Sequence, residues 1–251
     1  MKIVFLSDFH GKIDILHSLS DAIQSESPDL IVFTGDIVKG YARGDEYLNA
    51  KAENRSPMKG LKSIEDEEEE DLKLYKEFYN FLTELNIPVF TIPGNMDAPE
   101  GRYFDTFKNL NPQNVNLVHN KVAKFEDFTL FGFGGEVSEF ESEDFFVSIY
   151  PKNKVEDAFK KMDDVEGGKI FLFHTPPVSK VGLEGGVQRG SKVINGIIEK
   201  YKPDFVFCGH AHKAQGEDRI GESIVINPGP LKGGNYAVVE TERREVSFQK
   251  F

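Results

Sequence analysis

Five stretches of this chain are unbroken apolar runs of strand length: KIVFL (2–6), DLIVF (29–33), IPVFTI (87–92), KIFLF (169–173) and DFVFC (204–208). Runs without polar alternation describe strands buried on both faces, and such strands need a sheet covered by helices. The intervening sequence supplies the helices. Residues 13–24 place Leu16, Leu19 and Ile23 on one helical face, and residues 67–85 place Leu72, Tyr75, Tyr79, Leu82 and Leu85 on another. The acidic run EDEEEED (65–71) opens the second of these, where the helix dipole favours negative charge. Ser191 reads as the N-cap of KVINGIIEKY. The order β-α-β-α-β indicates an α/β architecture.

The remaining segments are richer in alternation. NVNLVHN, KVAKF, FTLFGFG, SIVIN, YAVVE and EVSFQK, with Gly and Asn turns between them, predict a second, partly antiparallel sheet packed on the first. Residues 39–66 have little apolar periodicity and predict a solvated loop or lid-like excursion.

Charge narrows the function. With 30 basic against 42 acidic residues the net charge is −12, which gives no footprint for a nucleic-acid groove or an anionic membrane surface. The single cysteine, Cys208, excludes an internal disulfide and a thiolate cluster, and its place at the end of an apolar run predicts burial. The opening MKIVFLSDFH is too short in apolar residues for a signal peptide or membrane span, so a cytoplasmic location is expected. A chain this acidic that handles phosphate must find its positive charge somewhere other than surface lysines.

Each apolar run ends in a polar donor. Ser7-Asp8-Phe9-His10 follows the first, Thr34-Gly35-Asp36 the second and Pro93-Gly94-Asn95 the third; His174 follows the fourth and Gly209-His210-Ala211-His212 the fifth. Ligands bind at the carboxyl ends of strands in open α/β sheets. Taken singly, an Asp after a strand often only caps a helix, and a lone H-x-H is usually a turn. Together, seven oxygen and imidazole donors suit a pair of divalent transition metals, Mn, Fe, Zn or Ni. Two such ions about 3.5–4 Å apart clamp a phosphoryl group and activate a bridging hydroxide as nucleophile. After the Asp8 and Asp36 carboxylates and that hydroxide are counted, roughly one positive charge is left for an anionic substrate.

Asp8-Phe9-His10, Gly35-Asp36, Gly94-Asn95, His174 and Gly209-His210-Ala211-His212 resemble, in order, the motifs of the calcineurin-like metallophosphoesterases. The tail NPGPLKGGNYAVVE resembles the small archaeal and bacterial phosphoesterases of that superfamily. The resemblance spans residues 8–212 and implies one domain over 1–251, a two-sheet β-sandwich flanked by helices in four α/β/β/α layers. It also implies that Asp8, His10, Asp36 and His212 hold one metal, with Asp36 bridging, and that Asn95, His174 and His210 complete the second site. Asp36 and Asn95 would then be the catalytic pair, with Asn95 also meeting the substrate.

Two positions depart from the pattern. Lys39 stands where the second motif commonly has a later Asp, which reads as a change around the ligands rather than the loss of one. Met96 stands where the third motif commonly has a histidine that protonates the leaving oxygen and is oriented by the acid that follows, here Asp97. A thioether donates no proton. The expectation is a phosphodiesterase that prefers good leaving groups, acting on a small phosphodiester. The competing classes are a non-catalytic protein-interaction scaffold on the same fold and a phosphomonoesterase or protein phosphatase. A nuclease would be expected to show a basic groove. The oligomeric state is open, a homo-oligomer included.

Weaker candidates remain. Arg189, in the Gly-rich GLEGGVQRGS, could meet a phosphate oxygen, although an exposed loop is the ordinary reading. The segment EFESEDFFVSIYP (139–151) either walls the pocket or pairs with a partner chain. His17 is expected on the surface, and His119, closing a strand, is expected to be structural.

Overall fold

All five apolar runs form strands in the computed structural model, which describes residues 1–251. The first half of the chain runs β1 (Lys2–Leu6), α1 (Leu16–Glu26), β2 (Leu30–Phe33), α2 (Tyr41–Ala52), α3 (Lys62–Glu84), β3 (Val89–Thr91), α4 (Glu100–Leu110), β4 (Val115–Leu117), β5 (Val122–Phe125) and β6 (Phe128–Phe133). Three short strands follow, β7 (Glu136–Ser138), β8 (Glu143–Asp144) and β9 (Ser148–Pro151), and then α5 (Lys152–Phe159) and β10 (Gly168–Phe173). The hairpin β11 (Leu183–Glu184) and β12 (Val187–Gln188) leads to α6 (Lys192–Tyr201) and β13 (Phe205–Phe207). The chain ends with β14 (Gly216–Ile220), β15 (Ser223–Asn227), β16 (Asn235–Glu240) and β17 (Glu245–Lys250). Ser191 does cap α6, its hydroxyl accepting from Val193 N.

Two six-stranded sheets are formed, in the orders β17-β16-β1-β2-β3-β4 and β14-β15-β13-β10-β6-β5. Their centres are parallel and their antiparallel pairs lie toward the edges. Membership differs from the sequence reading. The apolar strands β10 and β13 belong to the second sheet, while the alternating strands β16 and β17 complete the first. Apolar patterning records how many faces of a strand are covered, not which sheet it joins.

Side-chain alternation builds the layers. Ile3, Phe5, Val32 and Ile92 of the first sheet meet Ile170, Leu172, Phe205 and Phe207 of the second, with the rings of Phe5 and Phe207 4.7 Å apart. Val4, Leu6 and Phe33 turn the other way, onto Leu19 and Ile23 of α1 and Tyr75 and Phe78 of α3. Phe131, Phe171 and Phe173 pack on Phe159 of α5 and on Ile194 and Ile198 of α6. The result is the four-layer α/β/β/α sandwich. No helix is long and apolar enough to cross a membrane.

Two local differences from the sequence reading share one cause. Residues 39–66 hold helix α2 where a loop is predicted, and α3 buries Asp71 and Leu74 while Leu72 lies 45% exposed. In both helices part of the inward side is charged. Arg43 of α2 is buried against Asp71 at 2.7 Å and Glu67 at 3.1 Å, and Arg102 of α4 reaches the same Asp71 oxygen at 2.8 Å. Buried ions persist only when paired in this way, and apolar periodicity cannot register them.

His119 follows β4, buried where the edges of the two sheets meet. Its Nδ1 accepts from Gly134 N at 2.9 Å. Burial, helped by the charges of Lys154, Lys121 and Lys161, pushes the ring down to about 3, and the nearest acid, Glu100, stands 3.8 Å from Nε2. A folded-state value below the unfolded one means that the unfolded chain binds more protons between about pH 6.5 and pH 3. This contribution to stability is therefore complete above the window and lost as pH falls through it, by up to about 1.4 kcal/mol per unit. His119→Asn, whose Oδ1 can take the place of Nδ1, is expected to show a shallower fall. Urea unfolding at pH 7, 6, 5 and 4 checks this, and parallel curves for the two proteins would refute it.

Candidate metal centre

Four of the seven predicted donors sit on backbone that side chains rarely adopt. Asp8, His10, Asp36 and His210 have φ of 60°, 48°, 64° and 66°. Such left-handed conformations cost roughly 1–3 kcal/mol each and persist only where neighbouring structure fixes them. Here the fixing groups are the other strand ends. Asp8 N donates to Gly35 O (3.0 Å), His10 N to Asp36 O (2.9 Å) and Gly11 N to Ile37 O (2.8 Å), while His210 N donates to the Asp8 carboxylate (3.2 Å to Oδ2). Two glycines permit this closeness. A side chain at Gly94 would overlap the Asp36 carboxylate, and one at Gly209 would overlap Ser7 Oγ.

The donors meet in two groups, Asp8 with His10 and His212, and Asp8 and Asp36 with His174, and Asp36 also faces His10. In the first, His212 Nε2 lies 3.2 Å from Asp8 Oδ1, and His10 Nε2 lies 3.1 Å from His212 Nε2, 3.8 Å from Asp8 Oδ1 and 3.6 Å from Asp36 Oδ2. In the second, His174 Nε2 lies 3.4 Å from the same Asp36 Oδ2 and 2.9 Å from Asn95 Oδ1, which His210 Nδ1 approaches at 3.2 Å. All seven side chains therefore converge. Asp8, Asp36 and His174 are almost wholly buried, and His212 is the most open at 31%.

Tautomers show what the cluster is shaped to hold. His10 Nδ1 faces the Val38 carbonyl at 3.1 Å and His174 Nδ1 faces the Thr34 carbonyl at 2.8 Å. A carbonyl only accepts, so each Nδ1 carries a proton and each Nε2 is the nitrogen turned inward. His174 Nε2 then faces an amide oxygen. His10 and His212 bring their Nε2 atoms together beside two carboxylates. Lone-pair atoms this close need a proton or a metal ion between them, and mixed N/O donors suit borderline divalent ions. The residues fit a metal pair.

The charges agree. Burial opposes ionisation of Asp8 and Asp36, yet the surrounding imidazoles hold both below the usual carboxylate range. Burial pushes His174 down, but the Asp36 and Asp8 carboxylates outweigh it and raise the ring to about 9, so a metal ion at Nε2 would have to displace a proton. His210 is pushed down to about 4 by burial and by its neighbour His174.

Met96 is half-buried beside this cluster. Its backbone N donates to Asp36 Oδ1 at 2.8 Å, its sulfur lies 3.8 Å from Asn95 Nδ2, and its methyl lies over the Gly40 turn that begins α2. Asp97 has no ring to orient. Its carboxylate instead accepts from the backbone N of Gly94 (2.8 Å), Asp36 (2.9 Å) and Ile37 (3.0 Å), tying the second and third strand ends together. Burial and the Asp36 charge raise it to about 6 against the pull of those N–H groups.

Arg189 lies half-exposed beyond β12 and faces Glu184 at 3.7 Å. Segment 139–151 packs beside the third strand end and α2. Ser148 N donates to Asn95 O at 2.8 Å, and Phe146 packs against Gly44 and Tyr47 of α2. His17 is exposed, and Cys208 is buried with its thiol on Ile226 O at 3.2 Å. The sequence reading misses Lys232. Its backbone N bonds Asp8 O at 3.1 Å and its charge reaches His10; the glycines around it in GPLKGG mark a turn but not its direction. It also misses the clamp under the third strand end, where Arg43 Nη2 donates to Met96 O and Arg102 Nη2 to Ala98 O.

Comparison with known proteins bears on family and fold. A family model described as metallophosphoesterase, calcineurin superfamily, matches residues 1–251. The uncharacterized protein MJ1162 of Methanocaldococcus jannaschii is 28% identical over 260 residues, covering 100% of this chain and 97% of that protein. The probable glycerophosphodiester phosphodiesterase GpdQ of Arcobacter nitrofigilis is 26% identical over 236 residues, covering 85% of this chain and 72% of that one. One crystal structure superposes with a TM-score of 0.92 at 28% identity, covering 100% of this chain and 98% of its own.

Proposed function

The chain belongs to the calcineurin superfamily of metallophosphoesterases, and from that premise we propose that it hydrolyses small phosphodiesters with good leaving groups. In this reading Asp8, His10, Asp36 and His212 hold one divalent ion, and Asp36, Asn95, His174 and His210 hold the other. The observation that carries it is the single oxygen Asp36 Oδ2, which stands 3.6 Å from His10 Nε2 on one side and 3.4 Å from His174 Nε2 on the other. A carboxylate oxygen this close to both imidazoles is placed to bridge two ions. Bound there, Mn, Fe, Zn or Ni would supply Lewis acidity and water activation at neutral pH.

The chain's own residues set the rest. The Val38 and Thr34 carbonyls fix which nitrogen of His10 and His174 faces inward. Asn95 turns Oδ1 to the imidazoles and leaves Nδ2 toward Met96, with no nearer acceptor than that sulfur, so the amide is free to donate to a phosphoryl oxygen. Met96 offers no proton to the departing oxygen. An aryl or similarly acidic leaving group needs none, which is why good leaving groups are favoured. The relation to a probable glycerophosphodiester phosphodiesterase supports the diester class.

The test is a screen of metal-reconstituted protein on bis(p-nitrophenyl) phosphate and p-nitrophenyl phosphate, with Asp36→Ala as the blank. The diester is expected to exceed the monoester in kcat/KM by about tenfold or more. Equal rates on both esters would remove the diester assignment. Failure to take up metal would remove the centre.

A further inference from the structure

A cavity of about 550 Å³ lies on the face formed by α4, the edge strand β4 and the start of α5. Its floor is apolar. Phe104, Phe107 and Leu117 are partly buried there against the helix-side core, and Phe104 stands 5.4 Å from the ring of His119. Its rim is cationic, carrying Lys108, Lys121 and Lys154 against the single acid Glu100. That acid is already taken by Lys154, at 3.3 Å, which leaves Lys108 and Lys121 without a carboxylate of their own. Lys161 stands close by, its ammonium on the carbonyl and side-chain oxygens of Asn120 at 2.7 and 2.8 Å.

Such a rim is out of character for a chain of net charge −12. Unpaired lysines scattered on a surface are ordinary, but here they ring an aromatic floor in a hollow of ligand size, since small-molecule sites commonly fall between about 300 and 1,000 Å³. The buried His119 in the wall adds no charge, because its Nδ1 is an acceptor for Gly134 N. The hollow thus joins two unpaired ammonium groups to an aromatic floor.

We propose that this cavity binds a small amphipathic anion, an aromatic ring carrying a sulfonate, carboxylate or phosphate, with the ring on Phe104 and Phe107 and the anionic group between Lys108 and Lys121. The site is separate from the metal centre, although both border the same connection. Glu100 begins α4 directly after the Asn95–Pro99 loop, and its backbone N is held by Asp144 at 2.8 Å.

The test uses the full chain loaded with manganese, titrated calorimetrically with 1-naphthalenesulfonate, a poor metal ligand, and with the neutral 1-naphthalenemethanol. The sulfonate is expected to bind once per chain, at least about tenfold more tightly than the alcohol, and to weaken with added salt. Lys108→Glu and Lys121→Glu, both at exposed positions, are each expected to weaken it about tenfold or more, whereas Asp36→Ala leaves it unchanged. Equal affinity for the alcohol would overturn the anion requirement. Indifference to both lysine reversals, or loss of binding in Asp36→Ala, would place the anion elsewhere and overturn the site.

Discussion

Asp36→Asn is expected to lower kcat/KM on an aryl phosphodiester by about a thousandfold or more and to reduce bound metal from about two ions per chain to one or none. The substitution keeps the shape of the side chain and an oxygen for Met96 N, which donates to Oδ1 at 2.8 Å. It removes the charge from the oxygen that faces both His10 and His174. Without that charge the two donor groups lose a shared anion, and two dications held close together would repel with less negative charge to screen them. Folding and function can be separated by thermal unfolding with and without Mn²⁺. A ligand at a hundred times its Kd stabilises the folded state by about 2.7 kcal/mol, so the wild type gains on metal addition and the variant gains little. A variant that still retains two ions and most of its activity would show that Asp36 does not bridge.

Met96→His is expected to raise hydrolysis of an alkyl phosphodiester relative to an aryl one by about a hundredfold, the lower end of what a positioned general acid contributes. The lower end is chosen for a structural reason. In the common pattern of the superfamily the following acid orients the ring, but here Asp97 is spent on the backbone N–H groups of Gly94, Asp36 and Ile37. A histidine placed at position 96 would stand beside Asn95 and over the Gly40 turn with no carboxylate free to hold its tautomer. A matched pair of esters, bis(p-nitrophenyl) phosphate and a dialkyl phosphate, gives the ratio directly. If both rise together or neither changes, position 96 does not govern leaving-group protonation.

The same residues show where reading the sequence succeeds and where it stops. The strand positions and the donors that follow them are local facts: an apolar run, then a turn, then Asp, Asn or His. Each can be read in place, and a family resemblance joins them in order. Helix α2 was hidden because Arg43 and Glu46 face inward, and a hydrophobic count treats buried, paired charges as solvent-exposed ones. Leu72 was put on the wrong side of α3 for a related reason, since Asp71 occupies the buried face through its two arginines. Asp97 was legible as a residue but not as a tie between strand ends, because its partners at 36 and 37 are remote in the chain.

Sequence alone determined the Asp, Asn and His residues that follow the strands, the helix-covered strands, the acidic balance and the thioether at position 96. These depend on residue identity and on neighbours a few positions away. Tertiary structure decided which sheet each strand joins, which nitrogen of His10 and His174 faces inward, and that one oxygen of Asp36 stands between the two groups. It also gathered three lysines around an aromatic hollow. Each of these depends on backbone atoms and charges brought together from distant parts of the chain, and no local pattern encodes such a meeting.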